Sequence, residues 1–192
     1  MSSGIRVCVG PPWIGWWLHT DRYIGDMLFE GQVWFDFSST SVWVFYRFAR
    51  ELAQRGAQVA LEWLPLPNGR ETAAMSAFVA LDEASDRGRF LHAMMGLVHL
   101  HDADPSSVDV VERAAAEAGI RVGPSVTQHP DLDVLSARAA ELGVSSVPSL
   151  YRHGPVTHIT LNGAALSGDI INRAVVILAM ADDDGIWGLV KP

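Results

Sequence analysis

Residues 32–43, Gln-Val-Trp-Phe-Asp-Phe-Ser-Ser-Thr-Ser-Val-Trp, decide the fold. Val33, Phe35 and Phe37 alternate with Trp34 and Asp36, the period of a strand whose two faces are both partly apolar. The polar run from Ser38 to Ser41 breaks that period. Phe45, Phe48, Ala49 and Leu52 then recur at helical spacing, and Gly56 follows as a natural C-terminal cap. Ala57 to Leu64 reads as the next strand, stopped by Pro65 and Pro67, which cannot donate to a ladder. Strand, polar turn, helix and strand together make a β-α-β unit.

Outward from this unit the pattern changes on both sides. Residues 1–31 form a Trp-rich arm that ends at Gly31, leaving 32–69 as the first half of the domain. Residues 70–125 carry no strand pattern. Met75, Phe78, Val79 and Asp82 suggest one helix, Phe90 to His101 a second and Ser107 to Ala118 a third, so this stretch is an all-helical insertion. Residues 126–192 make the second half. Asp131 is positioned to cap a helix with Leu132, Leu135, Ala139 and Leu142 on one face and Gly143 at its end. Leu150 to Arg152 and Val156 to Leu161 flank His153-Gly154-Pro155 as a hairpin, and Ile170 to Met180 is a very apolar last helix.

A chain of 192 residues, 49% hydrophobic and 19% charged, can bury a core of single-domain size. Its net charge of −8, with no cluster of basic residues, excludes a nucleic-acid footprint, because phosphate binding needs a basic patch to displace counterions. Cys8 is the only cysteine, in the apolar run Ile5 to Val9, so it reads as a small core residue and no intramolecular disulfide is possible. Pro11-Pro12 and three Trp interrupt the apolar N-terminus, which argues against a membrane span or a secretion signal. A cytoplasmic location is expected.

Two motifs carry a family resemblance. The run Phe35-Asp36-Phe37-Ser38-Ser39-Thr40-Ser41-Val42-Trp43 resembles the active-site strand and turn of the DsbA-like branch of the thioredoxin fold, and Gly143-Val144-Ser145-Ser146-Val147-Pro148 resembles that family's cis-proline loop. The resemblance covers roughly residues 33–192. It implies an α/β thioredoxin-like fold with an all-helical insertion, here preceded by the Trp-rich arm. Residues 91–102, 108–120 and 177–191 are similar to actinobacterial members that include mycothiol-dependent nitroreductases. Ser39 falls on the first cysteine of the family's Cys-Pro-Trp-Cys turn and Val42 on the second. A serine at the first position resembles instead the kappa-class glutathione transferases and 2-hydroxychromene-2-carboxylate isomerases, in which it assists a thiol cofactor.

The resemblance implies that Ser39, Thr40, Ser41, Val147 and Pro148 bind mycothiol or glutathione and that Ser39 acts on its sulfur. The physics of a helix N-terminus points the same way, since unpaired N–H groups and the positive dipole end favour a thiolate and a hydroxyl can donate to it. The competing reading is that Ser39, Thr40 and Ser41 only cap the helix. With a cis Val147-Pro148 bond, the Val147 main chain is expected to lie beside Ser39 and pair with a ligand's backbone.

Trp43, His92, His99 and His101 are candidates for the substrate pocket. His92 and His99 sit two turns apart on one helix and His101 points away, so no metal site is expected. The reading that follows is a redox-inactive enzyme, a thiol-dependent isomerase or transferase acting on a hydrophobic small molecule. The alternatives are a cofactor-free isomerase or cyclase on the same scaffold and a non-catalytic binding module. The Trp arm is expected to contact a second copy in a homodimer or to lid the cleft.

Overall fold

The computed structural model describes residues 28–67, 71–122, 129–152 and 157–158. Strand β1 (Leu28–Phe35), helix α1 (Thr40–Gln54) and strand β2 (Gln58–Pro65) form the expected unit. β1 and β2 are parallel, in register from Leu28 opposite Gln58 to Phe35 opposite Pro65. β3 (Ser149–Tyr151) runs antiparallel to β1, and β4 (Thr157–His158) antiparallel to β3, giving the order β2-β1-β3-β4. Between β2 and β3 lie the helices α2 (Ala73–Val79), α3 (Ala84–His101), α4 (Val108–Ala118) and α5 (Pro130–Glu141).

Alternation along β1 distributes its side chains between layers. Phe29 and Val33 pack with Phe45, Phe48 and Leu52 of α1. Trp34 turns to the other face, against Leu64, Leu66 and Ala139 of α5. Each such buried large side chain contributes on the order of 1.5–3 kcal/mol relative to exposure. Phe35 and Phe37 leave the sheet and enter the helical layer. Phe35 meets Phe37, Phe78 and Trp63 edge-on at 5.1, 5.4 and 5.7 Å between centroids, and Phe37 meets Phe90 at 6.3 Å. These contacts hold the end of β1, and with it the polar turn, against the insertion.

Four boundaries differ from the sequence reading. β1 begins at Leu28, inside the stretch assigned to the arm, and Gly31 lies within the strand rather than ending a segment. Gly31 has φ +145°, and a Cβ there would stand 2.7 Å from Leu150 Cδ1 and 2.9 Å from the Tyr151 carbonyl, so glycine lets β3 approach. Pro65 belongs to β2, which tolerates it because β2 is the edge strand. α3 starts at Ala84, six residues before Phe90. α5 is capped by His129, whose side chain accepts the Asp131 N–H, with Pro130 in the first turn; Asp131 is therefore not the cap. The Trp arm before residue 28, Cys8, the hairpin turn at 153–155 and the apolar helix at 170–180 lie outside the described residues.

Candidate functional site

The turn between β1 and α1 is built by its own side chains. The Asp36 carboxylate accepts the N–H groups of Ser38 at 2.8 Å and Ser39 at 2.6 Å. Ser39 is the N-cap: its φ and ψ are −75° and 118°, and its Oγ accepts the Val42 N–H at 3.3 Å. The capping half of the sequence reading is therefore realised. A hydroxyl that accepts still keeps its own proton to donate. Thr40 and Ser41 are exposed, and their N–H groups, at the first two helical positions, have no partner among the described residues.

On the opposite side, Val147-Pro148 is a cis peptide. The Ser149 hydroxyl donates to the Ser146 carbonyl at 2.6 Å, closing the loop around it. Val147 packs against the same apolar cluster that holds Phe37 and Val42, the residues flanking Ser39. Its N–H and carbonyl form no hydrogen bond with the described residues.

The third wall is α3. His99 stacks on Trp43 at 5.4 Å and 13° between planes. Burial holds its imidazole below the usual histidine range, opposed by the Phe37 carbonyl and the Asp36 carboxylate. Its Nε2 is buried and has no hydrogen-bond partner among the described residues. His92, two turns earlier, contacts the next part of α1: its Nδ1 lies 2.9 Å from the Tyr46 hydroxyl and 2.8 Å from Arg50 Nη1. Burial, then Arg50, push the His92 pKa down, while burial raises that of Tyr46. Trp43 and Tyr46 stack at 6.0 Å and 19°. The site is therefore the seam between α1 and α3, with the Ser39 turn and His99 at one end and Arg50 and His92 at the other.

Of the sequence candidates, Ser39, Thr40, Ser41, Trp43 and His99 come together at one end. His92 lies farther along the same seam, against Tyr46 and Arg50. His101 does not join them. It is exposed at the end of α3 and lines a shallow groove of about 420 Å³ between α3 and α4, with Gly96, Leu97 and Glu117, and His92 lines that groove as well. Sequence reading missed Asp36, Tyr46 and Arg50. Asp36 was legible as a residue that caps a turn two and three positions ahead; Tyr46 and Arg50 needed the helix pairing.

The sequence matches no protein-family model and no curated protein. Solved structures do match. One is a periplasmic thioredoxin-like protein of Salmonella enterica serovar Typhimurium, at TM-score 0.56 and 14% identity, covering 76% of this chain and 84% of that one. Another is DsbL of the same organism, at TM-score 0.50 and 12% identity, covering 84% and 92%. A reduced DsbL matches at TM-score 0.51 and 12% identity, covering 83% and 93%. At these identities the likeness establishes the fold, which is thioredoxin-like with the helical insertion of the DsbA type. The expected cytoplasmic location is corrected. The neighbour at TM-score 0.56 is a periplasmic protein, and a lone cysteine cannot report its compartment because only pairs form internal bridges.

Proposed function

We propose that the Ser39 turn binds and polarises a small-molecule thiol and that the protein is a thiol-dependent isomerase or transferase for a hydrophobic compound. One observation carries this reading: the N–H groups of Thr40 and Ser41 at the start of α1 have no partner among the described residues, beside a hydroxyl that retains a proton to donate. Those donors fit a thiolate of the glutathione or mycothiol class, and the unpaired main chain of Val147 fits the amide backbone of such a compound. When bound, a thiol supplies a nucleophile that adds to an activated double bond and leaves again.

The chain's residues have simpler tasks. Thr40, Ser41 and Ser39 stabilise negative charge, Trp43 and Phe37 exclude water, and His99, kept neutral by burial, accepts a proton. Disulfide exchange is not available, because it needs an attacking thiolate and a second sulfur and the chain has one cysteine.

A specific observation favours a second reading. The Asp36 carboxylate already occupies the N–H groups of Ser38 and Ser39 and adds negative charge to the turn. That suits a neutral substrate oriented by Ser39 and His99 without a cofactor. Calorimetric titration of the purified protein with glutathione and with mycothiol, read together with the ultraviolet absorbance of the thiolate, separates the two. The thiol reading expects saturable binding and a bound thiol that ionises at lower pH than the free one. Absence of binding by both thiols overturns it. From the periplasmic neighbour we also propose a location outside the cytoplasm, which fractionation of the source cells would check.

A further inference from the structure

The far end of the α1–α3 seam has a chemistry that the proposed thiol site does not use. Arg47 and Arg50 are exposed on adjacent turns of α1, with their guanidinium carbons 5.8 Å from the Trp43 ring and 5.9 Å from the Tyr46 ring. The two rings are themselves stacked at 6.0 Å, so each guanidinium is held by a neighbouring aromatic face. Neither arginine forms an ion pair among the described residues, although the chain carries 22 acidic residues against 14 basic ones. Arg55, Arg89 and Arg113, also exposed, each have a carboxylate partner.

The third member is His92. Arg50 Nη1 lies 2.8 Å from its Nδ1 and 3.3 Å from its Nε2, so the imidazole edge braces the guanidinium. Arg47 and Arg50 present N–H donors, and neither meets a carboxylate among the described residues. At the helical rise, Arg47 and Arg50 stand about 12 and 16 Å from Ser39 along the axis of α1.

We propose that Arg47 and Arg50, with His92 holding Arg50, form a recognition site for the oxyanion, carboxylate or phosphate, of a small molecule bound on the exposed face of α1 at this end of the seam. Paired guanidinium groups match the two-oxygen geometry of both anions, and the aromatic faces fix them in place before the ligand arrives. The site does not depend on the thiol reading, since the anion contacts none of the groups at the Ser39 turn.

The test is titration of the full-length chain at low ionic strength with sodium benzoate and, separately, with sodium phosphate. Sodium chloride serves as the ionic-strength control. Saturable one-to-one binding of at least one probe is expected, and which one binds identifies the anion. Arg47→Met with Arg50→Met should weaken it at least tenfold, whereas Arg113→Met, which removes an arginine already paired with Glu117, should leave it unchanged. Binding by neither probe, or equal binding by the double variant, overturns the site. If the double variant does not fold, modification of the wild-type chain by phenylglyoxal decides. Protection of Arg47 and Arg50 but not Arg113 by the bound probe supports the site, and equal labelling with and without probe refutes it. Loss of this binding with thiol binding intact would leave the proposed function standing, and the reverse result would leave the oxyanion site standing.

Discussion

Two helices of this protein begin with the same cap and come to different ends. Ser39 at α1 and Thr72 at α2 each accept the N–H of the third helical residue, both at 3.3 Å. At α2 the next donor is consumed, since the Ala74 N–H binds the Pro105 carbonyl at 3.0 Å and Ala73 and Ala74 are buried. At α1 the corresponding donors of Thr40 and Ser41 face outward, with Asp36 and His99 close by. A capping serine is therefore compatible with a purely structural role and with a functional one, and the donors left over distinguish them.

The comparison is tested most severely by Ser39→Ala. If the α1 terminus holds an anionic sulfur, this change removes a charge-assisted hydrogen bond of about 1.5–3 kcal/mol and lowers turnover roughly ten- to hundredfold, with a raised pKa for the bound thiol. A lowered melting temperature with unchanged thiol binding and turnover would reduce Ser39 to the status of Thr72. Next in size is Asp36→Ala, which removes the one carboxylate oxygen that accepts two N–H groups of the turn and is expected to lower stability by about 2 kcal/mol in urea titration. Should Asp36 oppose a bound anion, the same variant binds thiols more tightly than the wild type. Thr72→Ala is expected to cost about 1 kcal/mol and to leave ligand binding unaltered. A change in ligand affinity there would break the distinction between the two caps.

The smallest effect concerns pH. His99 and His92 have folded-state pKa values below that of the unfolded chain, so the unfolded state binds more protons in the interval between them. Their contribution to stability is complete above about pH 6.5 and is lost as pH falls through the lowered folded values. Melting curves between about pH 7.5 and about pH 5.5 should show this decline, and His99→Phe, which keeps a ring on Trp43, should reduce it. An unchanged slope in His99→Phe would mean that the buried imidazole is not the group responsible.

Local pattern carried most of the fold. The alternation of Val33 to Phe37, the helical spacing of Phe45, Phe48 and Leu52, and the Ser-Val-Pro segment each specified an element from its own residues, because period and proline chemistry are properties of a short stretch. Ser39 was legible as a cap for the same reason. Gly31 was not. A glycine inside a strand resembles a breaker until β3 is seen to approach it, and that approach joins residues far apart in sequence. His129 displaced Asp131 as a cap because Pro130 set the helix start two positions earlier than side-chain preference suggested.

The sequence by itself thus determined the β-α-β unit, the helical insertion, the lack of a cysteine pair and the serine at the head of α1, all of which depend on residue type and short-range spacing. Only the tertiary structure decided which side chains share the site. The pairing of α1 with α3 brings Trp43 to His99 and Arg50 to His92, and packing around Phe35 and Phe37 sets the Ser39 turn at one end of that seam. Burial and an unpaired N–H are relations between distant segments, so no single stretch of chain can encode them.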